Sequence, residues 1–274
     1  YNKISKIMRK SLSLLFVALI SVAIVSCSKE QLVEQPEVNA TVQLRAAIES
    51  PANANNPYDY YGLVHNQAVE AYIAANAIEY NGTDLEKVIE TSNALLLNST
   101  DFHEYFQVGT LATSSMLAPL VDKFPDNMEA VITAGGASDP VQAKLTEFTN
   151  YFLDAMEGDE IVYADAYEYI IDFESSILSA KIWSSEDRER LLSATSIGRY
   201  SLYFWYHQEK TVGKGKGKVK GGNAEKRPWW NWLVIGVADV GGGIVGAGSG
   251  PAGAIGAGAA ASNLANNLTK PDNK

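Results

Sequence analysis

The sequence predicts an all-α protein, in which a helical domain of about six helices is followed by a glycine-rich helical hairpin. The first observation is apolar spacing, because Leu63, Val69 and Tyr72 recur at helical intervals within a run of about 20 residues. The second is a series of helix-start motifs between residues 57 and 208. The third is that no run of alternating β-branched residues competes with the helical spacing there.

Three motifs predict where helices of this domain begin. Asn81-Gly82 ends the first predicted helix, and residues 83–86 (Thr-Asp-Leu-Glu) form a capping box for the next one. Asp139-Pro140 places an N-cap acid before a proline, whose missing N–H costs nothing at a helix start. Residues 184–187 (Ser-Ser-Glu-Asp) open the last helix of the domain in the same way.

The N-terminal part of the chain has the pattern of an export signal. Two basic residues precede the apolar run Leu12–Val25, which at about 14 residues is short for a membrane span of roughly 20. This order predicts a signal peptide over residues 8–26. Residues 24–27 (Ile-Val-Ser-Cys) resemble a lipobox, which implies cleavage before Cys27 and lipid attachment to its thiol. An ordinary signal peptide with an incidental cysteine is the alternative.

The residues from Cys27 onward predict the location of the protein. Cys27 is the only cysteine, so no thiol is left for a disulfide or a thiolate–metal site once it is lipidated. Ser28 occupies the position where aspartate favours inner-membrane retention in enteric bacteria. We therefore expect an outer-membrane lipoprotein of the cell envelope, either periplasmic or surface-exposed. Residues 27–56 are polar and are predicted to form a flexible tether.

The predicted helical domain, residues 57–208, is acidic, with about 24 acidic and about 7 basic residues. Residues 56–62 (Asn-Pro-Tyr-Asp-Tyr-Tyr-Gly), followed by His65-Asn66, resemble the start of the helical domain in Bacteroidetes lipoproteins of unknown function. Residues 191–201 add to the resemblance. It implies an envelope lipoprotein with an α-helical domain, and it implies no particular activity.

No pattern in the sequence indicates catalysis. The three histidines are far apart and lack metal-type partners three or four residues away, and no nucleophile or phosphate-loop motif occurs. Asp165, Glu168 and Asp172 share one helix face, which is more typical of a solvated surface than of a cation site. The sequence therefore predicts a protein that is not an enzyme and has no cofactor, metal or nucleic-acid partner.

Residues 209–228 are predicted to be a basic linker rich in lysine and glycine, a composition that does not favour folding by itself. Lysines close to anionic lipid headgroups contribute roughly 1 kcal/mol each, and tryptophans prefer the membrane interface. The predicted contacts with anionic lipid are Lys214, Lys216, Lys218 and Lys220, and the predicted interfacial anchors are Trp229, Trp230 and Trp232.

Residues 229–268 are predicted to form a glycine-zipper hairpin, in which Asp239 is the only charged residue. Two helices, about Trp230–Ala247 and Ala252–Asn267, are separated by a Gly-Ser-Gly-Pro break.

Gly242, Gly246 and Gly250 are spaced by four, so on a helix they form a smooth groove that another backbone can approach closely. In composition the segment resembles glycine-zipper segments of envelope proteins and the membrane-active segments of small bacteriocins.

Three functions are open at this point. In the first, the hairpin contacts a membrane or self-associates into a homo-oligomer, while the lipid on Cys27 holds the protein in place. In the second, the helical domain binds an envelope protein or a glycan, with residues 200–206 lining a groove, although core packing is the usual role of such aromatics. The third is a bacteriocin-like toxin. Packing of the hairpin on its own domain and disorder are alternatives to the first, since glycine disfavours helix and Asp239 is costly in lipid.

Overall fold

The computed structural model describes residues 48, 50–79, 84–158, 161–214 and 230–268. The predicted signal peptide, Cys27 and most of the predicted tether lie outside these residues, as do Lys216, Lys218, Lys220 and Trp229. Within them the chain forms ten helices and no strand, which confirms the all-α prediction. The helices are α1 Tyr60–Glu79, α2 Leu85–Leu97, α3 Thr100–Tyr105, α4 Ser114–Lys123, α5 Met128–Ala134, α6 Asp139–Glu157, α7 Tyr163–Ser179, α8 Ser185–Lys214, α9 Asn231–Ala247 and α10 Pro251–Leu268.

We call helices α1–α8, which pack around the C-terminal hairpin, the shell of the fold, and several of them are amphipathic. In α2 the residues Val88, Ile89, Ser92 and Leu96 are buried, which puts one stripe of the helix against the core. The region predicted to contain about six helices contains eight in the described residues, α1–α8. Three of them, α3, α4 and α5, are short. Residues 191–202 of α8 are buried on every side, and the other helices of the shell do not fill the space beside them at the centre of the fold.

The C-terminal hairpin fills that space. α9 and α10 pack on each other, α9 also packs on α4, α5, α6 and α8, and α10 packs on α1 and α2. Every residue of α9 except Val234 and Ala247 is buried. A helix that is apolar all round suits an enclosed position, which agrees with the near absence of charge in this segment.

Helix α8 is the longest element and links the shell to the hairpin. Ser184 Oγ accepts a bond from the Asp187 amide (3.0 Å), and the Ser184 amide donates to Asp187 Oδ2 (3.3 Å), so the chain forms a capping box there. The helix continues to Lys214, so residues 209–214 of the predicted linker are helical. Within residues 200–206, five side chains are buried and Tyr203 and Tyr206 are half-buried.

Two predicted helix caps differ from the structure. The N-cap of α2 is Asp84 rather than Thr83, and its side chain makes no capping hydrogen bond. The N-cap of α6 is Ser138 rather than Asp139, which is the first helical residue. Asp139 still lies in the first turn, where its charge favours the positive end of the helix dipole. Pro140 follows within that turn, as the sequence indicates.

Candidate functional site

Three of the residues predicted to contact membrane or a second copy lie inside the fold. Trp232 is 3% exposed, Gly242 and Gly246 are buried, and Trp230 is half-buried. Gly250 lies in the turn between α9 and α10 with φ of 86°, a conformation that favours glycine. Lys214 is the last residue of α8. Part of the segment predicted to contact lipid therefore lies at the centre of the folded domain.

The glycine groove exists, and α10 occupies it. A Cβ on Gly242 would lie 2.5 Å from the Ala257 carbonyl oxygen, and a Cβ on Gly246 would lie 2.6 Å from the Gly253 carbonyl carbon. Real Cβ atoms do not come so close to backbone, so these two glycines are required for the contact between α9 and α10. In the folded domain the groove is not open to lipid or to another protein.

A cluster of polar side chains lies where the hairpin meets α1 and α8. We call it the polar centre, and its members are His65, Asn66, Ser201, Asp239 and Ser262. Four of the five side chains are completely or almost completely enclosed, and Asn66 is 8% exposed. Helix α10 approaches His65 closely because residue 258 is glycine, where a Cβ would lie 3.1 Å from His65 Cδ2.

Asp239 is the hub of the polar centre. Ser201 Oγ donates a hydrogen bond to Asp239 Oδ2, and His65 Nε2 lies 3.6 Å from the same oxygen. Asp239 Oδ1 has no hydrogen-bond partner. Trp205 Nε1 of α8 donates to Ser262 Oγ of α10 at 2.9 Å, so this hydrogen bond holds the Ser262 hydroxyl in place. A buried carboxyl with one bonded and one unbonded oxygen is costly in its ionised form.

The hydrogen bonds of Asn66 assign the tautomer of His65. Asn66 Nδ2 donates to the Tyr200 carbonyl at 2.8 Å, so Asn66 Oδ1 is the acceptor that faces His65 Nδ1 at 3.1 Å. His65 Nδ1 therefore carries a hydrogen, and Nε2 faces Asp239.

Burial has opposite effects on the two pKa values. It lowers the pKa of His65 to about 4, and it raises the pKa of Asp239 well above its usual value in spite of the opposing effect of the Ser201 and Ser262 hydroxyls.

The polar centre does not have the geometry of a catalytic triad. Ser201 and His65 both face the same oxygen of Asp239, whereas a nucleophilic serine would bond to the histidine. All three side chains are fully buried. Buried side chains in this arrangement can hold a proton between two helices, but they are poorly placed to attack a substrate.

A second buried polar group, the arginine clasp, consists of Arg199, Glu174, Asp59, Asn53 and Asn56. Arg199 pairs with Glu174 at 3.4 Å, and both side chains are fully buried. It also pairs with Asp59. Asn53 and Asn56 each donate a side-chain bond to Glu174. The clasp fastens the segment that precedes α1 to α7 and α8.

A surface pocket of about 260 Å³ lies beside the hairpin turn. Its polar lining includes Tyr61, Glu186, Glu189, Arg190 and Ser193. Tyr61 Oη donates to Glu189 Oε1 at 2.7 Å, and Arg190 pairs with Glu186 at 3.1 Å. The polar groups of the pocket are thus largely satisfied by one another.

The acidic helix face agrees with its predicted role as surface. Glu168 and Asp172 are exposed on α7, and Asp165 is half-buried. Across the described ranges, no group of three or more His, Cys, Asp or Glu side chains is arranged to hold a metal ion.

Comparisons with models of protein families, with curated proteins and with solved structures find no match for this chain. In the described residues, no helix combines the length and hydrophobicity needed to cross a membrane.

The sequence predicts the hairpin but does not predict the polar centre. Asp239 was recognisable as the only charge in its segment, and His65 belongs to a motif that carried a family resemblance. They are 174 positions apart along the chain, and no spacing rule connects residues so far apart.

Proposed function

We propose that this protein is a non-enzymatic lipoprotein of the cell envelope, anchored in the outer membrane through Cys27. Its helical shell carries the C-terminal hairpin in the folded state and exposes it to a membrane when the shell opens. The observation that supports this most is that α9 and α10, two consecutive helices with a single charged residue, lie at the centre of the fold.

The hairpin has the properties of a unit that can move as one piece. Gly242 and Gly246 face backbone of α10, so the closest contacts of α9 lie within the hairpin itself. Many contacts with the shell involve side chains, such as Val240 against Gly198, although at Gly135 both the side chain and the backbone carbonyl of Ile244 lie close. Separation from the shell would therefore leave the pair of helices packed together.

The lengths of the helices define the kind of membrane contact that we propose. α9 has 17 residues and α10 has 18. At about 1.5 Å per residue each helix is roughly 26 Å long, shorter than the roughly 30 Å of bilayer hydrocarbon. We therefore propose that the hairpin lies in the interface of the bilayer, with tryptophans at its start and the lysines of the preceding segment on anionic headgroups.

A reversible crosslink between hairpin and shell tests this function. A Cβ on Gly256 of α10 would lie 3.4 Å from the Cβ of Ala112, close to the 3.5–4.5 Å range of disulfides, and its nearest neighbour, Asn93 Oδ1 at 2.8 Å, belongs to a side chain that can shift. In a Cys27→Ala protein, Ala112→Cys and Gly256→Cys are the only cysteines. The same sample, oxidised or reduced, then provides a locked hairpin and its matched control.

We expect the reduced protein to float with vesicles that contain anionic lipid, and the oxidised protein to remain unbound. Neutral vesicles control for the contribution of the lysines, and sedimentation of the same samples reports self-association. Equal flotation in both states would show that lipid contact needs no release of the hairpin. Flotation in neither state would make the hairpin a core element only.

The second candidate is a binding module for an envelope protein or a glycan. It is favoured by the pocket beside the hairpin turn, which is lined by carboxylates, a guanidinium group and Tyr61. This function needs no opening of the domain, so a crosslinked protein should retain it.

A further inference from the structure

The contact between His65 and Asp239 has to be close to electrically neutral. Both side chains are 0% exposed, and their facing atoms, Nε2 and Oδ2, lie 3.6 Å apart. A buried imidazolium or carboxylate without a partner of opposite charge is strongly disfavoured. Two arrangements avoid this cost: a neutral histidine with a protonated aspartate, or an ion pair. In each of them the two side chains together hold one titratable proton besides the hydrogen on His65 Nδ1.

We propose that His65 and Asp239 hold one shared proton in the folded protein and so make the packing of the hairpin in the shell dependent on pH. The pair joins the two parts that separate in the proposed function, because His65 belongs to α1 and Asp239 to α9. The hydrogen bond between His65 Nδ1 and Asn66 keeps Nε2 directed at Asp239.

Within the described parts of α8, α9 and α10, no third charged side chain contacts the pair. Helix α10 has no charged residue, and it contributes Ser262 and the backbone of Gly258 near the pair. Helix α8 contributes Ser201 and Trp205, and its buried Arg199 is paired with Glu174 and Asp59. In α9, Asp239 is the only charged residue.

The pH dependence follows from the number of protons bound in each state. The folded pair holds one proton. In the unfolded chain the two groups together hold two protons below a pH of about 3.9, one between about 3.9 and 6.5, and none above about 6.5. The pair therefore adds no pH dependence between about 3.9 and 6.5. Above about 6.5 it makes the unfolding equilibrium constant rise about tenfold per pH unit.

The shifted pKa values agree with this picture. The lowered pKa of His65 gives a stability contribution that is present above about 6.5 and is lost as the pH falls toward 4. The raised pKa of Asp239 gives a contribution that is present below about 3.9 and is lost as the pH rises. Between a pH of about 3.9 and 6.5 the two contributions change in opposite directions and cancel. Stability is therefore independent of pH in this range, as the proton count also indicates.

Asp239→Asn tests the proposal because asparagine keeps the shape and binds no proton. In this variant the folded state holds no proton at the site, so its stability should be flat above a pH of about 6.5 and fall below it. We expect the ratio of unfolding constants, wild type over variant, to rise about a thousandfold between pH 5 and pH 8 in urea titrations of Cys27→Ala protein. Asp122→Asn, at an exposed position, is the control, and its ratio should stay constant.

A ratio for Asp239→Asn that does not change with pH would overturn the proposal. If this variant does not fold, His65→Gln provides a second test. It retains the protonated aspartate, so its unfolding constant relative to wild type should rise about tenfold per pH unit between about 4 and 6.5 and then stay level. A ratio that stays constant from pH 4 to pH 6.5 would contradict the shared proton.

These measurements need no lipid, so they test the proton without reference to membrane contact. The further consequence rests on the proposed function: flotation of the wild type with anionic vesicles should increase from pH 6 to pH 8, and that of Asp239→Asn should not. A shared proton without flotation would leave the pair as a stability device and reject the membrane role alone.

Discussion

Arg199 is a buried residue that holds the segment before α1 against α7 and α8. Its guanidinium lies between Glu174 and Asp59, and the side chain is fully buried. Asn53, Asn56 and Thr195 complete the bonding of Glu174. The net attraction in a buried ion pair contributes little to the free energy of unfolding, because both charges lose their hydration. Removal of one partner is nevertheless strongly destabilising, because it leaves the other charge buried and unpaired.

We expect Arg199→Met to lower the free energy of unfolding by about 3–5 kcal/mol, because it leaves the buried Glu174 carboxylate without a cation. Urea unfolding at neutral pH measures the loss. The matched control is Arg190→Met, whose partner Glu186 is 76% exposed, and which should cost less than about 1 kcal/mol. Equal losses for the two variants would show that the clasp has no special role.

At the residue scale the sequence predicted types of residue better than contacts. The lone aspartate of the hairpin was conspicuous, and its cost in an apolar environment was predictable. Its neutralisation by His65 depends on how α1 crosses α9 and α10, which no local pattern encodes. The same holds for Arg199 and Glu174, which look like ordinary surface residues of helical segments.

The contact between α9 and α10 shows what the glycine spacing does at the scale of elements. Predicted bounds of Trp230–Ala247 and Ala252–Asn267 agree closely with Asn231–Ala247 and Pro251–Leu268, because the Gly-Ser-Gly-Pro break is a strong local signal. The partner of these helices was not predictable in the same way. A helix that is apolar all round suits a protein core and a membrane equally well.

We expect Gly246→Ala to destabilise the domain by about 2 kcal/mol or more, although alanine is the better helix former by about 1 kcal/mol. The new Cβ would meet the backbone of Gly253, which cannot rotate away. Thermal unfolding measures the change. Gly248→Ala, at the end of the same helix with space around its Cβ, should be close to neutral. A neutral effect at both positions would refute close packing of the hairpin.

For the whole molecule, the shell and the hairpin form one hydrophobic core rather than two domains joined by a linker. Leu120 and Met128 of the shell contact Gly241, and Ile197 lies against Gly243. Deletion of the C-terminal segment would remove the centre of that core, so loss of function on deletion could not be assigned to lipid binding. The crosslinked and pH-sensitive variants avoid this difficulty because they keep the core complete.

The most direct measurement is hydrogen exchange of the Cys27→Ala protein in solution, followed peptide by peptide. With the hairpin in the core, the amides of residues 236–246 should exchange only through global unfolding and be as protected as those of residues 191–204 in α8. Exchange of residues 236–246 within seconds, while α8 stays protected, would show that the hairpin lies outside the folded shell. That result would contradict the buried polar centre together with both proposals based on it.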